Sequence, residues 1–377
     1  MKKQYIQCRL ITVTAVLAAF YAPYVLAHHP VSAKFDTTQS VTLTGRVTEV
    51  DWANPHTHIF MSVEDKSGAV KNWAIELESP IELEWGGWRP DTLAIGAVIT
   101  VEGPLARNGT GQIWANSIIK EDGNSVFDLP DNILESQLGS RVEGPAPRWP
   151  DGHPRLGSEP GQSGYWSVPS QHSLVESGVS VAMDKHGILA NIEDAASVAP
   201  FQDWARDLYV IRQQNFMKDD PLFLYCIPPG GPRMFQVPYG VQFLEQPIHQ
   251  RVTVLMGGGN SNWRLIHLDG REQIGQVTGN DNNPLFFGRG LGRWEGDSFV
   301  VDSNGFNESF WFSNGGLPHT SQLHLIERFT RVDLNTLQYE VTIDDPGAYT
   351  REWKSAWTLL WVANKDLPDH YCQDNRP

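Results

Sequence analysis

Between Val41 and Ile119 apolar and polar residues alternate in short runs, the period-two pattern of half-buried strands. The runs are Val41 to Val47, His58 to Val63, Asn72 to Leu77, Val98 to Val101 and Trp114 to Ile118. Between the third and fourth, Ser79-Pro80-Ile81-Glu82-Leu83-Glu84-Trp85 offers a capping serine and a first-turn proline, which predicts a short helix. Five strands with a helix after the third is the order of a small, partly open barrel of the OB type. Further on, Phe201, Trp204, Leu208 and Ile211 recur at spacings of three and four within Pro200 to Lys218. They predict an amphipathic helix lying across a sheet. From Met234 the strand pattern returns in eight runs, ending with Trp353 to Val362, and turns such as Leu268-Asp269-Gly270 and Glu295-Gly296-Asp297 join them as hairpins. The fold expected is therefore mainly β: an OB-like barrel, one helix, then a lipocalin-like antiparallel barrel. A flat β-sandwich is the alternative for the second half.

The first 27 residues change the picture. Lys2, Lys3 and Arg9 precede an apolar run from Leu10 to about Phe20, and Val25-Leu26-Ala27 follows, the layout of a secretory signal peptide. The run is shorter than the roughly 20 residues of a bilayer span, which disfavours a retained anchor. A periplasmic or secreted chain starting near His28 is expected, with no membrane span after processing. The organisation expected is 1–27 signal peptide, 28–122 first barrel, 123–163 a Pro/Gly/Ser-rich linker and 164–377 second barrel. The net charge is -15, from 29 basic and 44 acidic residues, so nucleic acid is not an expected partner. Cys8 leaves with the signal, and Cys226 and Cys372 are then two thiols in an oxidising compartment, expected to pair; a free reactive thiol is the alternative.

The residues His28-His29-Pro30, Phe35-Asp36, Asn54-Pro55-His56, Asn72-Trp73-Ala74, Gly86, Trp88 and Val101-Glu102-Gly103 resemble a family of small exported bacterial proteins with no assigned function. The resemblance covers about 95 residues and implies export and a β-barrel, with no catalytic residue to carry over. Gly164-Tyr165-Trp166 is similar to the Gly-x-Trp element that opens the first strand of calycin or lipocalin-type barrels. The later motifs resemble uncharacterised secreted proteins of soil and marine bacteria, which implies fold and secretion alone. They include Cys226-Ile227-Pro228-Pro229-Gly230, Gly292-Arg293-Trp294-Glu295-Gly296-Asp297, Pro318-His319 and Ile326-Glu327-Arg328-Phe329.

Four constellations could carry chemistry. If the chain begins at His28, its α-amine and imidazole form a chelate for Cu(II), with His56 or His58 as third ligand; a frayed terminus and a turn histidine account for the same residues. The stretch from Asn307 to Arg328 gathers Asn307, Trp311, His319, Thr320, His324, Glu327 and Arg328 between two strands, where ligands enter barrels. His319, in a Gly-rich loop after Pro318, is the best general acid or base, set against a plain surface histidine. Glu327 and Arg328 are sequential, so in a strand they point to opposite faces and one of them is structural. Asp344 and Asp345 before Pro346 read as a turn closing a hairpin. Finally, Trp263 and Trp357 belong to an aromatic excess in which Trp353, Trp357 and Trp361 share one strand face, suited to a flat ring system or to core packing.

Gly257-Gly258-Gly259 lacks the Lys-Ser/Thr of a phosphate loop, Gly288-Arg289-Gly290 sits in no βαβ unit, and no Gly-x-Ser-x-Gly elbow occurs. Nucleotide, nicotinamide and serine-hydrolase readings fall away. The expectation is a binder of an apolar aromatic or polycyclic molecule that also acts on it as a cofactor-independent lyase, isomerase or decarboxylase, in which His319 works with Glu327 or Arg328 and Asn307, Trp311, Thr320, Trp263 and Trp357 hold the substrate. The alternatives are a non-catalytic carrier and a copper protein.

Overall fold

The computed structural model describes residues 34–53, 56–85, 87–128, 142–167, 174–183, 187–215, 219–237, 239–273 and 284–368. The expected signal peptide, His28 and Cys372 lie outside them. Two closed β-barrels follow one another, and a helix precedes most of the second.

The first barrel is built from β1 (Phe35–Asp51), β2 (His58–Glu64), β3 (Val70–Glu76), β4 (Val98–Ala106) and β5 (Gln112–Trp114), with α1 (Pro80–Trp85) after β3. The order is β1-β2-β3-β5-β4, closed by pairing of β1 with β4. The 17-residue β1 serves both neighbours because a register shift between Val47 and Glu49 bends it. Closure also needs a strand position without a side chain: a Cβ on Gly103 would stand 1.8 Å from the Trp114 carbonyl oxygen. Val47, Ile59, Met61, Ile75, Ile99, Val101 and Ile113 fill the interior, the inward half of the alternation. The sheet runs on through β6 (Ser117–Lys120) to β7 (Ser125–Asp128), past the expected boundary at 122.

The expected linker is only partly a connector. Residues 142–157 lie against the second barrel, where Arg331 donates to the carbonyls of Arg155 and Gly157, Trp166 donates to that of Leu156, and Arg148 pairs with Asp297. A Pro/Gly-rich strap has backbone carbonyls left over from any ladder, and buried Arg331 uses them.

The second barrel comprises β8 (Gly164–Ser167), β9 (Val241–Gln246), β10 (Arg251–Met256), β11 (Trp263–His267), β12 (Arg289–Glu295), β13 (Ser298–Asn304), β14 (His324–Arg331), β15 (Thr336–Asp344) and β16 (Trp353–Ala363). Its order is β10-β11-β12-β13-β14-β15-β16-β8-β9, closed on itself. It departs from a pure meander in one place, where β11 and β12 pair in parallel through Ile266 with Gly290 and His267 with Leu291. Helix α2 (Asp203–Gln214) buries Ala205, Tyr209 and Gln213. The expected stripe sits on the neighbouring face: Trp204 and Ile211 are exposed, and Trp204 is tied by its indole N–H to the Gly347 carbonyl.

The barrel axis is filled by the chain's own side chains. A 3-10 turn, Gly231–Phe235, inserts Phe235 against Phe329 and Tyr339, with ring centroids 5.2 and 4.8 Å away, and its carbonyl accepts from the Trp357 indole. Across the middle, Arg264 of β11 spans to Glu327 of β14, Nη1 donating to Oε1 at 3.0 Å and Nη2 pairing with Oε2. Ser303 Oγ accepts from Nη2 at 2.7 Å, and Tyr339 donates to Glu327 at 3.0 Å. A charged pair sealed from water is tolerable only when its lone pairs are satisfied this way. The inserted turn is anchored by a second such pair, Arg233 with Asp220, donating Nη1 to Oδ1 at 2.9 Å and Nη2 to Oδ2 at 2.5 Å.

Candidate functional site

The site lies at the end of the second barrel where β13 gives way to the loop 305–323 and β15 turns into β16. Local chemistry fixes this loop. Asn307 Oδ1 accepts from the Ser309 amide, Ser313 Oγ accepts from the Leu317 amide, and Gly316 takes a left-handed φ of +87° that a side chain would resist. Asp345, at the opposing hairpin turn, accepts from the Thr320 amide and hydroxyl at 2.6 Å each, and the Tyr349 hydroxyl donates to the Pro318 carbonyl at 2.8 Å. Asp345 is thus a turn residue, as its position before Pro346 suggested.

His319 is held between these anchors and is 7% exposed. Its ring lies 4.3 Å from that of Phe310 and 5.7 Å from that of Phe312. Nε2 is 2.8 Å from the backbone oxygen of Asn307, which can only accept, so Nε2 carries the hydrogen and Nδ1 is the acceptor nitrogen of the neutral ring. Burial among aromatics pushes the imidazole below its ordinary value; the Asn307 bond and the Asp345 carboxylate oppose that shift, and Arg212 adds to it. The result is a fixed, uncharged base at neutral pH.

The structure brings His319, Asn307 and Thr320 together and packs Trp311 into the same loop. It does not bring the other expected residues there. Glu327 is fully buried on the barrel axis, committed to Arg264 and Tyr339. Arg328, the next residue of the pleat, points outward and pairs with Glu295 at 2.6 Å. Neither can partner His319, and the reason is the strand alternation itself. Trp263 is corrected as well: it is 60% exposed on the outer face, because its neighbour Arg264 takes the inner one. Trp357 faces inward but is buried against Tyr339, 4.6 Å away, so it is a core residue.

Arg212, in the last turn of α2, was not legible from the pattern. Its guanidinium lies 5.0 Å from the Trp311 ring centroid, and Nη1 donates to the Gly316 carbonyl at 3.1 Å. Burial brings its pKa down to about 10 against the pull of Asp220 and Tyr349, so it remains charged. A basic residue in the last turn of the helix is the sequence signal it gives.

In the first barrel, His56 and His58 do share a place. Both converge on Glu76 of β3, with His56 Nδ1 2.5 Å from Oε1 and His58 Nε2 3.6 Å from Oε2, and Lys34 Nζ stands 2.7 Å from Oε2. Burial pushes the Glu76 carboxyl up, but hydrogen bonds from His56 and His58 and the charges of His56 and Lys34 outweigh it and hold the group far below the usual carboxylate range. Among the described residues no group of three or more His, Cys, Asp or Glu side chains is arranged to hold a metal ion. No helix among the described residues is long and apolar enough to cross a membrane.

Residues 16–113 match a family model described as a family of unknown function (DUF6152), so the similarity runs through the first barrel into β5 and includes none of the second. No curated protein matches the chain.

Proposed function

We propose that this is an exported protein whose second barrel binds an apolar aromatic or polycyclic small molecule at the His319 end and transforms it by acid/base chemistry without a cofactor. What supports the reading is one observation: a buried imidazole whose tautomer is fixed by the Asn307 carbonyl, with Nδ1 left as the acceptor. The ligand belongs at the mouth, because the barrel axis is already filled by Phe235 and its neighbours. His319 Nδ1 would take a proton from an acidic carbon or hydroxyl of the substrate and return it to a second carbon in an isomerisation, to the departing group as its bond to carbon breaks in a lyase reaction, or to the substrate carbanion left when a C–C bond breaks and releases CO2 in a decarboxylation. A positioned general base contributes about 10²- to 10⁴-fold. Phe310 and Phe312 exclude water from the ring and supply its apolar wall. In this reading the first barrel is of the OB type and the second a relative of lipocalins, the chain is periplasmic or secreted, and Cys226 pairs with Cys372.

The test is a mass-spectrometric screen of the mature protein against lignin-derived aromatics and steroids. A product formed by the native protein and absent with His319→Ala, at an unchanged circular dichroism spectrum, is the expected result. Retained turnover in that variant excludes His319. A ligand that binds without conversion makes the protein a carrier.

Copper binding is the second reading, favoured by the meeting of His56 and His58 on one carboxylate, which orients imidazoles as metal sites commonly require. It needs the amine of a chain starting at His28. Tight Cu(II) binding should vanish when one residue is added before that histidine, and unchanged affinity rejects the reading.

A further inference from the structure

Resting on the ligand site proposed above, we propose that its aromatic ligand is apolar in its rings alone and carries a carboxylate, whose charged group sits on Arg212. The one carboxylate whose charge reaches Arg212, Asp220, is already engaged, and so are the two that act on His319, Asp345 and Glu308. Asp220 is held bidentately by Arg233, Asp345 by the Thr320 amide and hydroxyl, and Glu308 accepts from the Ser321 amide. Among the described residues no carboxylate forms an ion pair with Arg212, whose one hydrogen bond there goes to the Gly316 carbonyl. A guanidinium has five N–H donors in a planar fork that matches a carboxylate in two parallel bonds, so most of its capacity is unspent.

Burial without a counter-ion is costly, and an arriving anion would offset that cost. Arg212 is not sealed, since the side chain is only partly covered, whereas Arg233, which has its carboxylate, is fully buried. The aromatic requirement comes from the neighbours. Trp311 lies beneath the guanidinium, and Phe310 and Phe312, the residues on either side of it, face His319. The cation and the neutral base thus flank one short aromatic stretch, close enough for the charge of Arg212 to be felt at His319. On a chain of net charge -15, a local cation is also what an anionic ligand needs to approach at all.

The experiment is isothermal titration of the native protein with 2-naphthoate and with 2-naphthamide, which match in ring and differ in charge, repeated on Arg212→Lys and Arg212→Gln. The expected result is at least tenfold tighter binding of the acid by the native protein, partial retention of that preference in Arg212→Lys and its loss in Arg212→Gln. Equal affinity for acid and amide in the native protein overturns the anion assignment while leaving the ligand site standing, and this arm does not depend on any variant folding. A preference surviving in a natively folded Arg212→Gln also overturns it. Failure of both probes to bind overturns the assignment and the ligand site together.

Discussion

A histidine buried as the neutral ring ties both chemistry and stability to pH. Because the folded-state value of His319 lies below the 6.5 of the free side chain, the unfolded chain binds a proton before the folded one does. Stability from this residue is therefore complete above about pH 6.5 and is lost as pH falls toward its lower folded value. Thermal melts of native protein and His319→Gln should converge on acidification, and turnover should show an acid limb below 6.5. Glu76 behaves as a depressed carboxylate: its contribution is present above the ordinary 4.5 and is lost only in stronger acid. The Arg264–Glu327 pair calls for a different test. Glu327→Leu strands a buried guanidinium and should cost about 3–5 kcal/mol in urea melts, whereas Arg264→Met with Glu327→Leu should recover most of that loss. Sequence marked His319 because its position after a proline in a glycine-rich loop is unusual. It could not mark Arg264, which reads like any strand arginine until β14 closes opposite it.

At the scale of elements, periodicity was a good guide to strands and a poor one to the helix face. On β14 every second residue, Leu325, Glu327, Phe329 and Arg331, is buried, so the register alone separates Glu327 from Arg328. On α2 the apolar stripe of Trp204, Leu208 and Ile211 predicted the wrong contact, because Ala205, Tyr209 and Gln213 suit the crowded loop beside it: the Gln213 amide donates to the carbonyls of Gly187 and Gly315. A polar residue that satisfies two backbone acceptors displaces an apolar one from the inner face. Glycine positions allow a direct check of barrel closure. Gly103→Ala should lose roughly 1–3 kcal/mol in a denaturant melt, since the new methyl meets backbone, while Gly144→Ala, which meets only Leu334 at 3.6 Å, should stay within about 0.5 kcal/mol.

For the whole molecule, the proposed bridge from Cys226 to Cys372 would close a loop of about 147 residues, worth up to about 5 kcal/mol on the chain-entropy model. Peptide mapping without reductant should recover a cross-linked pair of fragments, and Cys372→Ser should lower Tm; two alkylatable thiols in the native protein would refute the pairing. Read alone, the sequence determined that the chain is mainly β, where most of its strands run, that one helix stands before most of the second barrel, and which loop is chemically richest, since these follow from local alternation, turn residues and composition; the run expected from Met234 is instead the inserted 3-10 turn, and glycine-rich β12 gave no alternation to read. Tertiary structure decided what that loop can touch. Closing the second barrel sent Glu327 inward and Arg328 outward, filled the axis with Phe235 and brought Arg212 of a distant helix beside Trp311. Those outcomes depend on contacts between residues far apart in the chain, and no periodicity within one segment encodes them.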